Sequence, residues 1–450
     1  MSRIPNSVVG DAVTSTESWD TLEALVSVGN RMAGQTGEAE GAEIIADAFE
    51  RGGARDVEIN EFEIPGWWRG SSSLSVGEET LVADHEVIAL PGTPGGDATG
   101  ELVDVGYGLA EDFEERDLDG KIVMASSETP DDHGRWIHRM EKYVCAANAG
   151  AAGFVFRNHV EGCLPPTGEI GYHNRPGPIP AVGVSKEVGT RLLREHAVEG
   201  NEGEEGSGSE TTISVECRNE PTNSRNVEAV VGPDTEKEVL VTAHVDAHDV
   251  SEGANDNGAG SALVAEIGRL LGKVELDTRV RLVTFGSEEI GLYGAYHAAE
   301  THGLESIKCV INIDGAGNSR NLGVGTNGFD ELGDAFEEVT DEMRLPLSTH
   351  ERISPHGDQW AFVQEGVPSV MTYSRSGGSG RGWGHTHADT LDKLDIRDLR
   401  AMALALSNVV VAVAEEDREI PHKSREQIRD EIDEGYVEEL KLGGRWPYDE

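Results

Sequence analysis

The run Lys237 to Gly260, KEVLVTAHVDAHDVSEGANDNGAG, decides the fold. Lys237 to Ala243 is mostly apolar and rich in Val, the composition of a strand buried on both faces of a mainly parallel sheet. Polar residues follow at once: His244, then Asp246, then the Gly-rich loop Gly253 to Gly260, which presents Asp256 as the helical text of Gly258 to Leu271 begins. Strand, polar loop and helix in that order build an open α/β sheet, and such sheets gather ligands outside the carboxyl ends of their strands.

The same grammar recurs downstream. Arg279 to Phe285 leads to Glu288-Glu289, Ile307 to Ile313 to Asp314, and Val367 to Tyr373 through a Gly-rich loop to His385. Helical periodicity covers Leu292 to Thr301, Asp330 to Met343, Asp358 to Gln364 and Ile396 to Glu415. The fold class is therefore α/β, with a mixed, mainly parallel sheet sandwiched by helices. Upstream, Glu38 to Arg51 places Ile44, Ile45, Ala48 and Phe49 on one helix face, and Asp56 to Ile64 reads as a strand. From Gly77 to Glu216 the text changes to short strands and turns, with a helix near Arg139 to Ala149 and a solvated connector at Gly200 to Glu210. Four segments are expected: 1–76, an inserted β-rich unit 77–216, 217–418, and an acidic tail 419–450, whose aromatic end either docks on the body or frays.

Composition narrows the function. The 450 residues carry 37 basic against 84 acidic side chains, a formal charge of −47, which repels nucleic acid over most of the surface. Only nine of the basic residues are Lys, and the acidic excess runs through the whole chain, a pattern that resembles halophilic proteins, whose self-repulsion is screened by dense salt. The longest apolar run, Ala403 to Ala414, is shorter than the roughly 20 residues a membrane span needs, and the N-terminus shows no signal-peptide pattern, so a soluble, cytoplasmic protein is expected. Cys145, Cys163, Cys217 and Cys309 are too scattered for a disulfide framework or thiolate site. Oligomeric state leaves no trace in the sequence.

His244, Asp256, Glu289 or its neighbour Glu288, Asp314 and His385 thus converge from five segments. Two His and three carboxylates suit two divalent ions, most naturally zinc, held roughly 3.5–4 Å apart by a bridging carboxylate. Adjacent Glu side chains point different ways, so one of the pair can ligate while the other acts as a base. Asp246 is expected to accept the second ring N–H of His244.

These motifs, His244-Val-Asp246 with GANDNGAG, Ser287-Glu288-Glu289-Ile-Gly291, Asn312-Ile-Asp314 and His385-Thr-His-Ala-Asp389, resemble the M28 family of zinc metallopeptidases over roughly Asn226 to Val413. The resemblance implies that Asp256 bridges two zinc ions, that His244 and Asp314 complete one and Glu289 and His385 the other, and that Glu288 is the general base. It leaves His387 on the rim and gives Asp389 a supporting place. Gly120-Lys-Ile-Val123 and Ile179-Pro-Ala-Val-Gly183 make the insertion similar to a protease-associated (PA) domain, which shades or extends a cleft. One departure stands out: Gly384 precedes His385 where some relatives have a Tyr, so the oxyanion donor is unassigned, with Tyr373 a candidate only if its loop folds back. The implied activity is hydrolysis of terminal peptide bonds, foremost as an aminopeptidase. Carboxypeptidase, dipeptidase, amide deacylase and inactive zinc-binding module are the alternatives.

Overall fold

Strands Glu238–His244, Arg279–Phe285, Ile307–Ile313 and Ser369–Ser374 run parallel at the centre of a mixed sheet in this computed structural model, which describes residues 3–114, 116–172, 175–196, 209–375 and 382–448. Their spatial order is 369–374, 307–313, 238–244, 279–285, and Glu210–Val231 continues the sheet antiparallel beyond 279–285. At the other edge lie Leu322–Gly325 and Leu347–His350, two short strands outside the sequence expectation.

Alternation along each central strand explains the two helical layers. Val239, Val241 and Ala243 face a core shared with helices Ala259–Leu271 and Ile396–Ala414, while Leu240 faces a second core with Ala295, Ala298 and Phe362. Both faces are covered, so the strands read as continuous apolar runs. Gly268 lets its helix sit directly on the sheet, since a Cβ there would lie 2.2 Å from Leu282. Of the described helices, none is long and apolar enough to cross a membrane.

The expected strand at Asp56 to Ile64 is much longer. Arg55–Val76 pairs antiparallel with Glu210–Val231 from Arg55↔Val230 to Val76↔Thr211, forming a two-stranded ribbon that leaves the central sheet and enters the inserted unit. The expected boundary at 76/77 falls at the end of its first strand and that at 216/217 inside its second. Within the insertion, Gly96–Asp104, Ile122–Ser126, Gly153–Arg157 and Ala181–Val184 are mutually parallel, with helices Arg139–Asn148 and Lys186–His196. Most of the connector at 200–210 lies outside the described residues.

The C-terminal stretch forms two helices, Arg425–Glu431 and Glu434–Leu442. Its aromatic end docks on the body: Tyr448 Oη donates to the Gln364 carbonyl at 3.1 Å, and Arg425 donates to that of Pro447 at 2.8 Å.

Candidate active site: a cup of histidines and carboxylates at the strand ends

Two buried carboxylates shape the loops that carry the site. Asp246 accepts the backbone N–H groups of Glu288 (3.0 Å) and Glu289 (3.2 Å), pinning the turn after strand Arg279–Phe285, where Ser287 takes a positive φ of 62°. Asp389 accepts those of Asn255 (2.9 Å) and Asp256 (3.0 Å) and pins the Gly-rich loop. Beneath that loop, the buried Arg31 guanidinium donates to the carbonyls of Leu25 (3.0 Å), Val245 (2.9 Å), Glu252 (2.8 Å) and Gly253 (2.9 Å). Burial pulls Arg31 down to about 10, against the pull of Asp389 and Asp246.

The expected Asp246 to His244 hydrogen bond needs correction. His244 Nδ1 bonds the backbone carbonyl of Asp246 at 3.0 Å, while the nearest carboxylate oxygen stands at 3.5 Å. That carboxylate is already committed to two N–H groups of the neighbouring turn, which hold it off the ring. The result for the imidazole is the same: with Nδ1–H donated to the carbonyl, the neutral ring presents its Nε2 lone pair to the cup.

The five expected ligands come together in two groups around Asp256. His244 Nε2 lies 3.4 Å from Asp256 Oδ1 and 3.7 Å from Asp314 Oδ1, and His385 Nε2 lies 3.2 Å from both Asp256 Oδ2 and Glu289 Oε2. Asp256 thus turns one oxygen toward each group. Glu288 reaches to 4.0 Å from His244 Nε2. His244 Nε2 is fully buried and has only the 3.4 and 3.7 Å approaches of Asp256 and Asp314, an arrangement that a cation between them would satisfy. Convergent imidazole and carboxylate donors a few ångströms apart fit borderline divalent cations.

Electrostatics point the same way. Burial alone would depress the His244 imidazolium, but Glu288, Asp246, Asp256 and Asp314 outweigh it and raise it well above the usual histidine range. Burial raises Glu288 well above the carboxylate range, reinforced by Glu289, Asp358 and Asp314. Against burial, His248 and His385 hold Glu289 low, and His244 and His385 hold Asp256 low. Asp389 is pushed up to about 6 by burial and Asp256. So many buried carboxylates call for cations.

Sequence reasoning passed over His248. Its ring packs edge-on against His385 with centroids 4.4 Å apart, and Nε2 lies 2.9 Å from Glu289 Oε2, so it joins the His385 group. It stands four residues past His244 but in a loop rather than on a helix, so that spacing does not by itself place it beside His385. Asp358 was also unassigned: it is fully buried and raised well above its usual range by burial, with Asp246 and Asp314 adding. His387 is exposed, as expected of a rim residue. Tyr373 packs over Gly323 of the adjacent strand and does not line the cleft.

The cup opens into a cleft of about 940 Å3 whose opposite wall is the insertion, including Trp136, Arg139 and His159. Residues 226–410 match the model of Peptidase family M28, and residues 98–192 match the PA domain. Aminopeptidase YwaD of Bacillus subtilis is 31% identical over 309 residues, 67% of this chain and 62% of that protein, so the chain spans less than two thirds of that relative. Carboxypeptidase Q of Mus musculus is 25% identical over 430 residues, covering 90% of this chain and 87% of its own. Among solved structures, BSAP, a zinc aminopeptidase from Bacillus subtilis, superposes with a TM-score of 0.68 at 25% identity, over 88% of this chain and 93% of that one.

Proposed function

With residues 226–410 a Peptidase family M28 domain and 98–192 a PA domain, we propose that the chain is a two-zinc exopeptidase that removes residues from the amino end of peptides. The observation that carries this reading is Asp256, one oxygen facing His244 and Asp314 and the other facing His385 and Glu289. His244 and Asp314 on one side of Asp256, and His385 and Glu289 on the other, would hold two ions, which would lower the pKa of a bound water toward about 7 and polarise a peptide carbonyl. The chain's own part falls to Glu288. Aimed into the cup 4.0 Å from His244 Nε2, it takes the proton of the attacking water and returns it to the leaving amine, so that no covalent enzyme intermediate is needed. Asp246 holds this residue by its backbone while the cleft walls orient the peptide.

An ammonium group suits a cup lined by carboxylates better than a terminal carboxylate does, which favours the aminopeptidase over a carboxypeptidase. The match to carboxypeptidase Q over nine-tenths of the chain keeps the second reading as the counter-outcome of the test. Hydrolysis should be abolished by N-acetylation of a short peptide and tolerate C-terminal amidation; the reverse pattern identifies a carboxypeptidase. Glu288→Gln should retain its zinc and lose about 10²–10⁴-fold in kcat, the usual worth of a general base. Near-normal kcat in that variant removes Glu288 from the mechanism.

A further inference from the structure

The two histidines of the cup are oriented by different parts of the molecule. His244 Nδ1 bonds the Asp246 carbonyl two residues away. His385 Nδ1 instead faces the carbonyl of Thr167 at 3.3 Å, a residue of the insertion 218 positions distant in the chain. The same Thr167 donates its N–H to the His385 carbonyl at 2.8 Å, where His385 takes a positive φ of 56°. An N–H to carbonyl bond at Nδ1 selects the tautomer whose Nε2 lone pair points at Asp256 and Glu289.

Arg69, on the ribbon that joins the two units, seats Thr167. Its Nη2 donates to Thr167 Oγ1 at 3.1 Å and to Asp249 Oδ1 at 2.6 Å, its Nε lies 3.0 Å from Asp249 Oδ2, and Nη1 donates to the Ala89 carbonyl. The guanidinium stacks 4.9 Å over the Trp67 ring. Asp249 adjoins His248, so this one side chain ties the ribbon, the insertion and the loop behind the His385 group together. Its own side chain is 13% exposed and that of Asp249 10%, which keeps the pair from being screened like a surface ion pair.

We propose that the PA insertion is a working part of the metal centre: Thr167 is a positioning residue for His385, and the Arg69–Asp249 latch sets affinity for the ion on the His385 side. This rests on the two-zinc reading above. The ion on the His244 side shares only Asp256 with the His385 group and takes its other ligands from strand ends the latch does not touch, so it should depend on the latch far less. Binding or loosening at the cleft's far wall then reaches one of the two cations far more than the other.

The test is a zinc titration of the chelator-stripped, full-length protein by calorimetry and competition with a fluorescent chelator. The parent should show two sites. Arg69→Met should weaken one of them about 10–100-fold, the usual effect of losing a partner that orients a metal ligand, and leave the other within threefold. Arg69→Lys, which keeps the charge but not the fork, should fall between. Thr167→Val removes only the hydroxyl that meets Arg69 and should weaken the same site more mildly; it carries the test if Arg69→Met does not fold. Trp136→Ala alters the cleft wall away from the latch and should change neither site. Unchanged zinc affinities in the Arg69 and Thr167 variants, or equal loss at both sites, overturn the proposal. A parent that takes up fewer than two ions defeats the two-zinc reading itself, a distinguishable result.

Discussion

Asp246→Asn probes whether the architecture behind the cup matters as much as the cup. The native carboxylate is fully buried and holds two successive N–H groups, at 3.0 and 3.2 Å. Each such charge-assisted bond contributes about 1.5–3 kcal/mol, and a buried donor left unmatched costs about 1–3 kcal/mol. The amide keeps one acceptor and turns an NH2 group toward the other N–H, so one bond is lost and donors face each other. The sum is about 3–5 kcal/mol, concentrated on the turn that presents Glu288 and Glu289. At about 1.4 kcal/mol per factor of ten, kcat/KM should fall roughly 10²–10³-fold. The assay is aminoacyl-anilide hydrolysis at saturating zinc, with zinc content by elemental analysis and thermal melts with and without chelator. Asp246 also raises Glu38 and Asp358 by repulsion, so removing its charge relieves the stripped protein. The melting deficit should therefore be larger with zinc than without. Activity within threefold of the parent at full zinc occupancy refutes the reasoning.

Asp256→Ala should release metal from both groups, and full zinc occupancy by elemental analysis contradicts its bridging place. Glu38, raised from the usual 4.5 to about 8 by burial and by Asp246, keeps a proton in the folded state that the unfolded chain has released. Its effect on stability is thus unfavourable as pH rises from about 4.5 to 8, and Glu38→Gln should flatten that decline in urea midpoints; an unchanged slope rejects it. With a formal charge of −47, the melting temperature should climb between low and molar KCl, and insensitivity to salt sinks the halophile expectation.

Much of this was legible in the sequence, for a reason. Strands Arg279–Phe285 and Ile307–Ile313 match the expected bounds because a strand covered on both faces is mostly apolar along its length. The ligands are legible because the fold itself puts strand ends in one place. What escaped lacks a local code. The ribbon runs past Ile64 through Pro65-Gly66, text that reads as a turn, because its partner strand extends equally far and pairs Pro65 with Pro221. Strand Leu322–Gly325 owes its state to the neighbour at Ser369–Ser374. His248, Thr167 and Arg69 gain their places from contacts between segments far apart, and the Asp246 carboxylate from two N–H groups that no spacing rule announces.

The ribbon has a covalent consequence. Because Val76 lies opposite Thr211 in register, the chain leaves for the insertion and returns from it at adjacent points. A short turn joining them would close an ordinary β-hairpin, so the excursion is a cassette that could be spliced out without stretching the remaining backbone. What such a shortened protein would forfeit is not connectivity but the hand that steadies one histidine.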